Sequence, residues 1–245
     1  MFYLSFLQDN IIIILTERMS DMWFLQPGMT IPRALLIIAA SLFIVFFIMP
    51  LHEFAHGYVA YKLGDNTAKY SGRLTLNPLS HISPLGTAAI ILFGFGWAKP
   101  VQVDPRNFKN PKVGMALVSA AGPLSNFIVA FLGAFILNAF LTFGSGIPYT
   151  LVSYIFIFLY YFVSINVCLA VFNLIPLPPL DGSKILAVFL PDRILEFYYR
   201  YQGSINLAVF FLLFMGVLSG PLIYINNIMF KWILNISAVP FKIFS

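Results

Sequence analysis

Two histidines and a glutamate stand together in the segment His52-Glu53-Phe54-Ala55-His56 of this 245-residue chain. Residues four apart on a helix point in nearly the same direction, so the two imidazoles can bind one zinc ion. The carboxylate of Glu53 lies beside the first imidazole, where it can reach a water on the metal. The pattern is typical of metal-assisted peptide hydrolysis. The alternative is a set of polar side chains that satisfy one another inside a helix bundle.

A zinc site of this kind needs a third protein ligand and an open fourth position. Of the nine acidic residues, seven fall in predicted loops, ends or interfacial stretches: Asp9, Glu17, Asp21, Asp65, Asp104, Asp192 and Glu196. Besides Glu53 this leaves Asp181, at the end of the segment NLIPLPPLD that follows an apolar run. Three prolines forbid regular helix there, and irregular backbone at membrane depth is tolerated only where it is buried in protein or lines a wet cavity. We predict Asp181 as the third ligand; the alternative is a cytoplasmic turn in which Asp181 caps the next helix.

The composition indicates that these residues must be positioned inside a membrane. The chain is 60% hydrophobic and only 9% charged, and its mean hydropathy is +0.89. Soluble domains contain about a quarter charged residues. We therefore predict a polytopic membrane protein, for which nucleic-acid binding, secretion and disorder are poor interpretations. The single cysteine, Cys168, excludes an intramolecular disulfide and a cysteine-based zinc site.

The predicted fold is an all-α polytopic membrane protein with about four core transmembrane helices, each long enough for a bilayer core of about 30 Å. The spans are 34–51 with a helical continuation to about Leu63, 113–141, 150–173 and 205–225. Residues 85–97 are apolar but too short to span, and strand-like stretches flank them. A membrane-associated β-hairpin or re-entrant segment is therefore predicted there.

Three regions divide the predicted chain. Residues 1–33 form an N-terminal interfacial or partial membrane segment, residues 34–225 form the core, and residues 226–245 form a C-terminal interfacial tail. The connection 57–112 contains seven lysines and arginines, 142–149 contains none, and 182–204 contains three. Because cytoplasmic loops are enriched in these residues, the first and third connections are predicted to be cytoplasmic. The expected location is the cell membrane, with the active site towards the cytoplasmic side.

Four segments together resemble the site-2 protease family of intramembrane zinc metalloproteases: LHEFAHGYVAYKLGD, GRLTLNPLSHISPLG, AGPLSN and NLIPLPPLDG, within roughly residues 40–190. The resemblance implies hydrolysis of peptide bonds within or near transmembrane helices of substrate proteins. It also implies one zinc ion per chain, bound by His52, His56 and Asp181, with Glu53 as the base. The chain is similar to the family's minimal form, which has no PDZ or CBS domain.

Two asparagines have an open interpretation. Asn126 lies in the AGPLSN segment and Asn173 opens the proline-rich segment. In the family that the chain resembles, asparagines at such positions are thought to hold substrate or stabilise the oxyanion. The alternative is an interhelical amide hydrogen bond. His81 follows a proline-containing turn and is interpreted as an interfacial histidine without a role; the alternative is a group that supports the site or contacts the substrate.

Two other functions remain open. A catalytically silent relative would bind transmembrane helices as a chaperone, but the presence of Glu53 argues against it. A metal transporter would use histidine and aspartate as transit ligands, but its polar groups would line the whole pathway. Here they cluster near the cytoplasmic half. The expected partners are transmembrane protein substrates and the lipid bilayer. An exposed strand of the 67–103 hairpin is expected to pair with the unwound substrate.

Overall fold

The structure, a computed structural model, describes residues 42–93, 98–144 and 148–242, together with Ile38. These residues are helical or irregular and include no strand. The helices are α1 (Met49–Lys62), α2 (Thr67–Tyr70), α3 (Pro84–Phe93), α4 (Pro111–Phe143), α5 (Tyr149–Asn173), α6 (Asp181–Leu186), α7 (Asp192–Arg200), α8 (Gln202–Phe214) and α9 (Ser219–Ala238). The predicted N-terminal segment 1–33 lies outside the described residues.

Helix α1 carries the histidine pair. A π-helical turn, Ile44–Ile48, leads into it, because Pro50 has no N–H to donate to the preceding turn. The helix ends at Lys62, and Gly64 follows with φ 107°, a left-handed conformation that glycine adopts without strain. The predicted helical continuation to about Leu63 is therefore confirmed.

Helix α4 forms the centre of the bundle. The Asn110 side chain accepts a hydrogen bond from Val113 N at 3.2 Å, and Pro111 occupies the first turn, where a missing N–H costs nothing. Its 33 residues extend over about 50 Å at helical rise. Helix α5 packs closely along it: a Cβ at Gly133 would lie 2.7 Å from the Phe162 ring. The predicted spans 113–141 and 150–173 agree with α4 and α5.

Helix α9 completes the core against α4 and α5. Buried residues from the three helices form one apolar cluster, which includes Ala130, Val163, Val167, Phe230 and Ile233. Asn138 Nδ2 on α4 donates to Ser237 Oγ at 2.8 Å, which adds a polar link to α9. Among the described residues, Pro111–Phe143 and Gly220–Phe241 are long and apolar enough to cross a membrane.

The predicted fourth span, 205–225, is wrong in its bounds. Helix α8 ends at Phe214, and α9 begins at Ser219 after a turn in which Gly216 has φ 71°. Pro221 lies in the first turn of α9, a position that starts a helix rather than interrupting one. The stretch expected to be interfacial thus contains much of a helix that packs into the core. The domain boundaries at 33 and 225 stay predictions.

The predicted β-hairpin is also wrong within the described residues. Pro84–Phe93 is helical, and Ser83 Oγ accepts a hydrogen bond from Gly86 N at 3.2 Å, which caps its first turn. Thr75, expected on a pairing strand, instead belongs to a turn, and its carbonyl accepts a hydrogen bond from His81 Nε2 at 2.8 Å. Residues 98–104 beyond α3 are irregular and form no strand. Residues 94–97 lie outside the described part of the chain.

Candidate metal centre

Three ligand-type atoms from α1 and α6 converge at one point. His52 Nε2 and His56 Nε2 lie 3.1 Å apart, and Asp181 Oδ2 lies 3.3 Å from the first and 3.1 Å from the second. A tetrahedral zinc ion with ligands at about 2.0–2.1 Å separates its ligand atoms by about 3.3 Å. The three atoms therefore have the spacing and chemistry of a metal-binding face, as the sequence predicted.

A backbone carbonyl orients one of the imidazoles. His56 Nδ1 lies 2.7 Å from Val118 O on α4, and since a carbonyl only accepts, Nδ1 carries the proton. The neutral ring then presents the lone pair of Nε2 to His52 and Asp181. Hydrogen bonds of this kind from the second ring nitrogen are common behind metal-bound histidines, where they fix the tautomer.

Gly122 on α4 leaves the space that the two imidazoles occupy. A Cβ built at Gly122 would collide with Nε2 and Cε1 of His56, and it would lie 2.6 Å from Cε1 of His52. The rings therefore rest directly on the backbone of α4. From the sequence alone, Gly122 predicts no more than close packing of helices. Its position four residues before Asn126, on the same face of a helix, was the signal that could have revealed more.

A tight turn brings Asp181 to the histidines. The proline-rich segment leaves α5 at Asn173 and folds back so closely that a Cβ at Gly182 would lie 2.5 Å from Ile175 O. Asp181 then begins α6 and is buried. Its Oδ1 faces Lys184 Nζ at 3.8 Å, while Oδ2 faces the imidazoles. The carboxylate therefore presents one oxygen to the candidate metal position.

Glu53 occupies the same cavity as the three ligand atoms. Its Oε2 accepts a hydrogen bond from Val101 N at 2.9 Å, and among the described residues no partner is found for Oε1. The cavity has a volume of about 530 Å³. Its wall includes the metal-binding group, Glu53, Asn126, Asn173, Lys184 and residues of the irregular segment after α3.

The two asparagines differ in their surroundings. Asn126 is buried in the cavity wall, and neither its Nδ2 nor its Oδ1 has a hydrogen-bond partner in the described part of the chain. Asn173 Nδ2 already donates to Leu169 O of its own helix at 2.9 Å. His81 is buried but does not line this cavity.

Comparisons with known proteins agree with this geometry. The sequence profile of peptidase family M50 matches residues 148–217. The chain is 42% identical over 174 residues to "Putative zinc metalloprotease YwhC" of Bacillus subtilis (strain 168), which covers 71% of this chain and 79% of that protein. It is 32% identical over 145 residues to "Putative zinc metalloprotease Rip2" of Mycolicibacterium smegmatis, a match that covers 54% of this chain and 50% of that protein.

A third relative comes from an archaeon. The chain is 29% identical over 170 residues to "Zinc metalloprotease MJ0392" of Methanocaldococcus jannaschii, which covers 69% of this chain and 38% of that protein. No solved structure matches the chain. Apolar helices around a histidine–aspartate group are what a membrane metalloprotease requires. The chain belongs to peptidase family M50, and its resemblance to the site-2 protease family is confirmed.

The contact between Gly122 and the imidazoles predicts that Gly122→Ala weakens metal binding. The added methyl group must displace both rings, and changes directly behind metal ligands cost about 10–100-fold in affinity. Metal content and affinity of the purified protein measure the effect. Gly203→Ala is the matched control, because a Cβ there meets no atom within 4 Å. Equal metal affinity in the two variants would contradict the proposed contact.

Proposed function

We propose that this protein is a zinc metalloprotease that hydrolyses peptide bonds within or near transmembrane helices of other proteins. In this proposal His52, His56 and Asp181 hold zinc, and Glu53 is the general base. The observation that supports it most directly is the separation of 3.1–3.3 Å among the three ligand atoms beside a glutamate in one cavity. The names of the relatives and the donor set, two imidazoles and one carboxylate, favour zinc.

The chain's own residues account for most of the proposed mechanism. Zinc, when bound, supplies Lewis-acid chemistry that polarises a carbonyl oxygen and makes water more acidic. Glu53 accepts the proton of the attacking water and returns it to the leaving amine. The Val101 N–H holds one carboxylate oxygen of Glu53 in place, which leaves the other to face the water.

Asn126 is the better of the two candidates for binding the substrate carbonyl. A buried amide with no partner is unfavourable by about 1–3 kcal/mol, so a group that pairs with it on substrate binding removes this cost. Its Nδ2 can donate to the oxyanion, an interaction worth about 3–4 kcal/mol in other hydrolases. Asn173, whose Nδ2 bonds its own helix, is better suited to line the substrate channel.

Three substitutions separate ligand from base. Glu53→Gln is expected to keep zinc and lower kcat by about 100–10,000-fold, the usual contribution of a general base. His56→Ala and Asp181→Ala are expected to lose zinc together with activity. Zinc content and cleavage of a transmembrane substrate are measured on the same preparations.

The cleavage assay, together with a zinc-uptake assay in vesicles, separates the rival functions. A catalytically silent helix-binding relative would show no cleavage in the wild-type protein, and a zinc transporter would move zinc into vesicles without cleavage. Full zinc content with full turnover in Asp181→Ala would refute the third-ligand assignment.

The site is proposed to open towards the cytoplasm of a multi-pass cell-membrane protein. The exposed side chain of Arg106 lies in the loop that leads from the cavity to α4, in line with the enrichment of basic residues on cytoplasmic loops. In a Cys168→Ser background, single cysteines at Lys109 and Arg193 are expected to label only from the cytoplasmic side, and one at Ser145 only from outside. Labelling of all three from one side would refute this topology.

The proposed substrate is a transmembrane helix that unwinds before it is cut. The carbonyl of an intact helix is hydrogen-bonded and covered by side chains, and each backbone group left unpaired in hydrocarbon costs several kcal/mol. Residues 98–103 lie in the region proposed to pair with the unwound chain; they form neither helix nor strand, and four of them line the cavity, which supports such pairing.

Substrate helices with Gly, Pro, Asn or Ser near the cut are therefore expected to be cleaved faster than Leu-rich helices, because they unwind at lower cost. A helix series matched for binding affinity, assayed in detergent and in bilayers, measures the difference. Adding glycine to a resistant helix is expected to permit cleavage. Equal rates across the series would exclude unwinding as the limiting step, but would leave the metal-site proposal intact.

A further inference from the structure

Residues 98–104, here called the strap, form an irregular segment along one side of the metal cavity. Ala98, Pro100, Val101 and Val103 contribute to its wall. At the first end of the strap, Lys99 N donates to His81 O at 2.7 Å, and Lys99 O accepts from Arg73 Nη1 at 3.3 Å. These two hydrogen bonds tie the strap to the turn before α3.

The middle of the strap contacts the proposed base. Val101 N donates to Glu53 Oε2 at 2.9 Å, and the Val101 side chain lies over Gly57, one turn further along α1. A backbone N–H cannot adjust its direction independently of the strap. The orientation of the Glu53 carboxylate therefore depends on where the strap is held.

Asp65 holds the second end of the strap. Its side chain is fully buried after the end of α1, and its two oxygens serve different elements. Oδ1 accepts hydrogen bonds from the N–H of Thr67 at 3.0 Å, from its hydroxyl at 2.5 Å and from Asn107 Nδ2 at 2.7 Å. Oδ2 accepts one from Asp104 N at 2.8 Å. One carboxylate thus joins α1 and α2 to the strap.

The hydrogen bonds also keep Asp65 ionised. Burial raises the pKa of this carboxyl, but the hydrogen bonds from Thr67, Asp104 and Asn107 outweigh it and hold the pKa below its ordinary value. An ionised carboxylate accepts on both oxygens, which four converging donors require.

We infer that Asp65 is a positioning residue for Glu53: through Asp104 N–H it fixes the strap, and through Val101 N–H the strap fixes the carboxylate of the base. The inference rests on the proposed function, in which Glu53 is the base. Asp65 itself contacts neither the ligand group nor the substrate cavity.

Asp65→Asn is a selective test of this link. The single oxygen of the asparagine is best placed at the Oδ1 position, where it meets three donors. Its NH₂ group then faces Asp104 N–H, and because both groups are donors, no hydrogen bond forms between them. The variant therefore keeps the contacts to α2 and releases the strap. Asn107→Ala is the matched control, because it removes one donor to Oδ1 and leaves the Asp104 hydrogen bond in place.

Hydrogen exchange of the strap provides a readout that does not depend on catalysis. In the full-length protein in nanodiscs, Asp65→Asn is expected to lose protection of the Val101 amide, whereas Asn107→Ala retains it. Zinc content is expected to equal that of the wild type in both variants. Unchanged Val101 protection in Asp65→Asn would overturn the inference, whether or not Glu53 is the base.

Kinetics test whether the released strap matters to the base. Asp65→Asn is expected to lower kcat by about tenfold with little change in KM, a smaller loss than removal of a general base causes. Asn107→Ala is expected to stay within about twofold of wild type, as surface changes usually do. An equal loss in both variants, or loss of zinc with loss of activity, would identify Asp65 as a structural residue and overturn the inference.

A double-mutant cycle tests the route of the effect. Val101→Pro removes the N–H that Glu53 accepts, so adding Asp65→Asn to it is expected to cause no further loss of kcat. Losses that multiply would overturn the inference. If Val101→Pro does not fold, the exchange comparison of Asp65→Asn with Asn107→Ala decides alone. Failure of the proposed function would appear separately, as undiminished turnover in Glu53→Gln.

Discussion

The candidate metal centre requires a carboxylate and two imidazoles to lie within 3.3 Å of one another in an apolar helix bundle. Removing such groups from water is costly unless a partner of opposite charge compensates. A divalent cation at their centre provides that compensation. Three features of the surrounding structure allow these groups to approach one another. Gly122 leaves room for the rings, the Val118 carbonyl orients one of them, and the turn at Gly182 brings Asp181 next to them.

The ligands come from distant parts of the chain, and α4 connects them. His52 and His56 belong to α1 and rest on α4 at Gly122, whereas Asp181 follows α5 and begins α6, which also packs against α4. Hydrogen bonds at the edge of the bundle hold Glu53 in a similar way. The strap and Asp65 join the end of α1 to the loop before α4, so Glu53, the proposed base, is held by the same framework that holds the candidate ligands.

The sequence predicted which side chains come together at the site, but it did not predict which backbone groups contact them. The spacing of His52 and His56 and the shortage of acidic residues predicted the ligand group that the structure brings together, and long apolar runs predicted α4 and α5. Val118 O and Val101 N–H had no sequence signal, because every residue has these groups. The short apolar stretch around α3 led to the wrong prediction of a hairpin. A run of ten apolar residues has the same composition in a helix or a strand, and only Ser83 before Pro84 indicated the helix α3.

The length of α4 has a consequence for where the chemistry occurs. At about 50 Å, the helix exceeds the hydrocarbon core of about 30 Å even when tilted by about 40°. If α4 spans the membrane, part of it must therefore lie outside the hydrocarbon core. For each ångström of α4 that extends beyond the hydrocarbon core on the Pro111 side, Gly122 and the imidazoles that rest on it lie closer to the headgroups. In the proposed function, lipid chain length is thus a determinant of which bond of a substrate helix meets the metal.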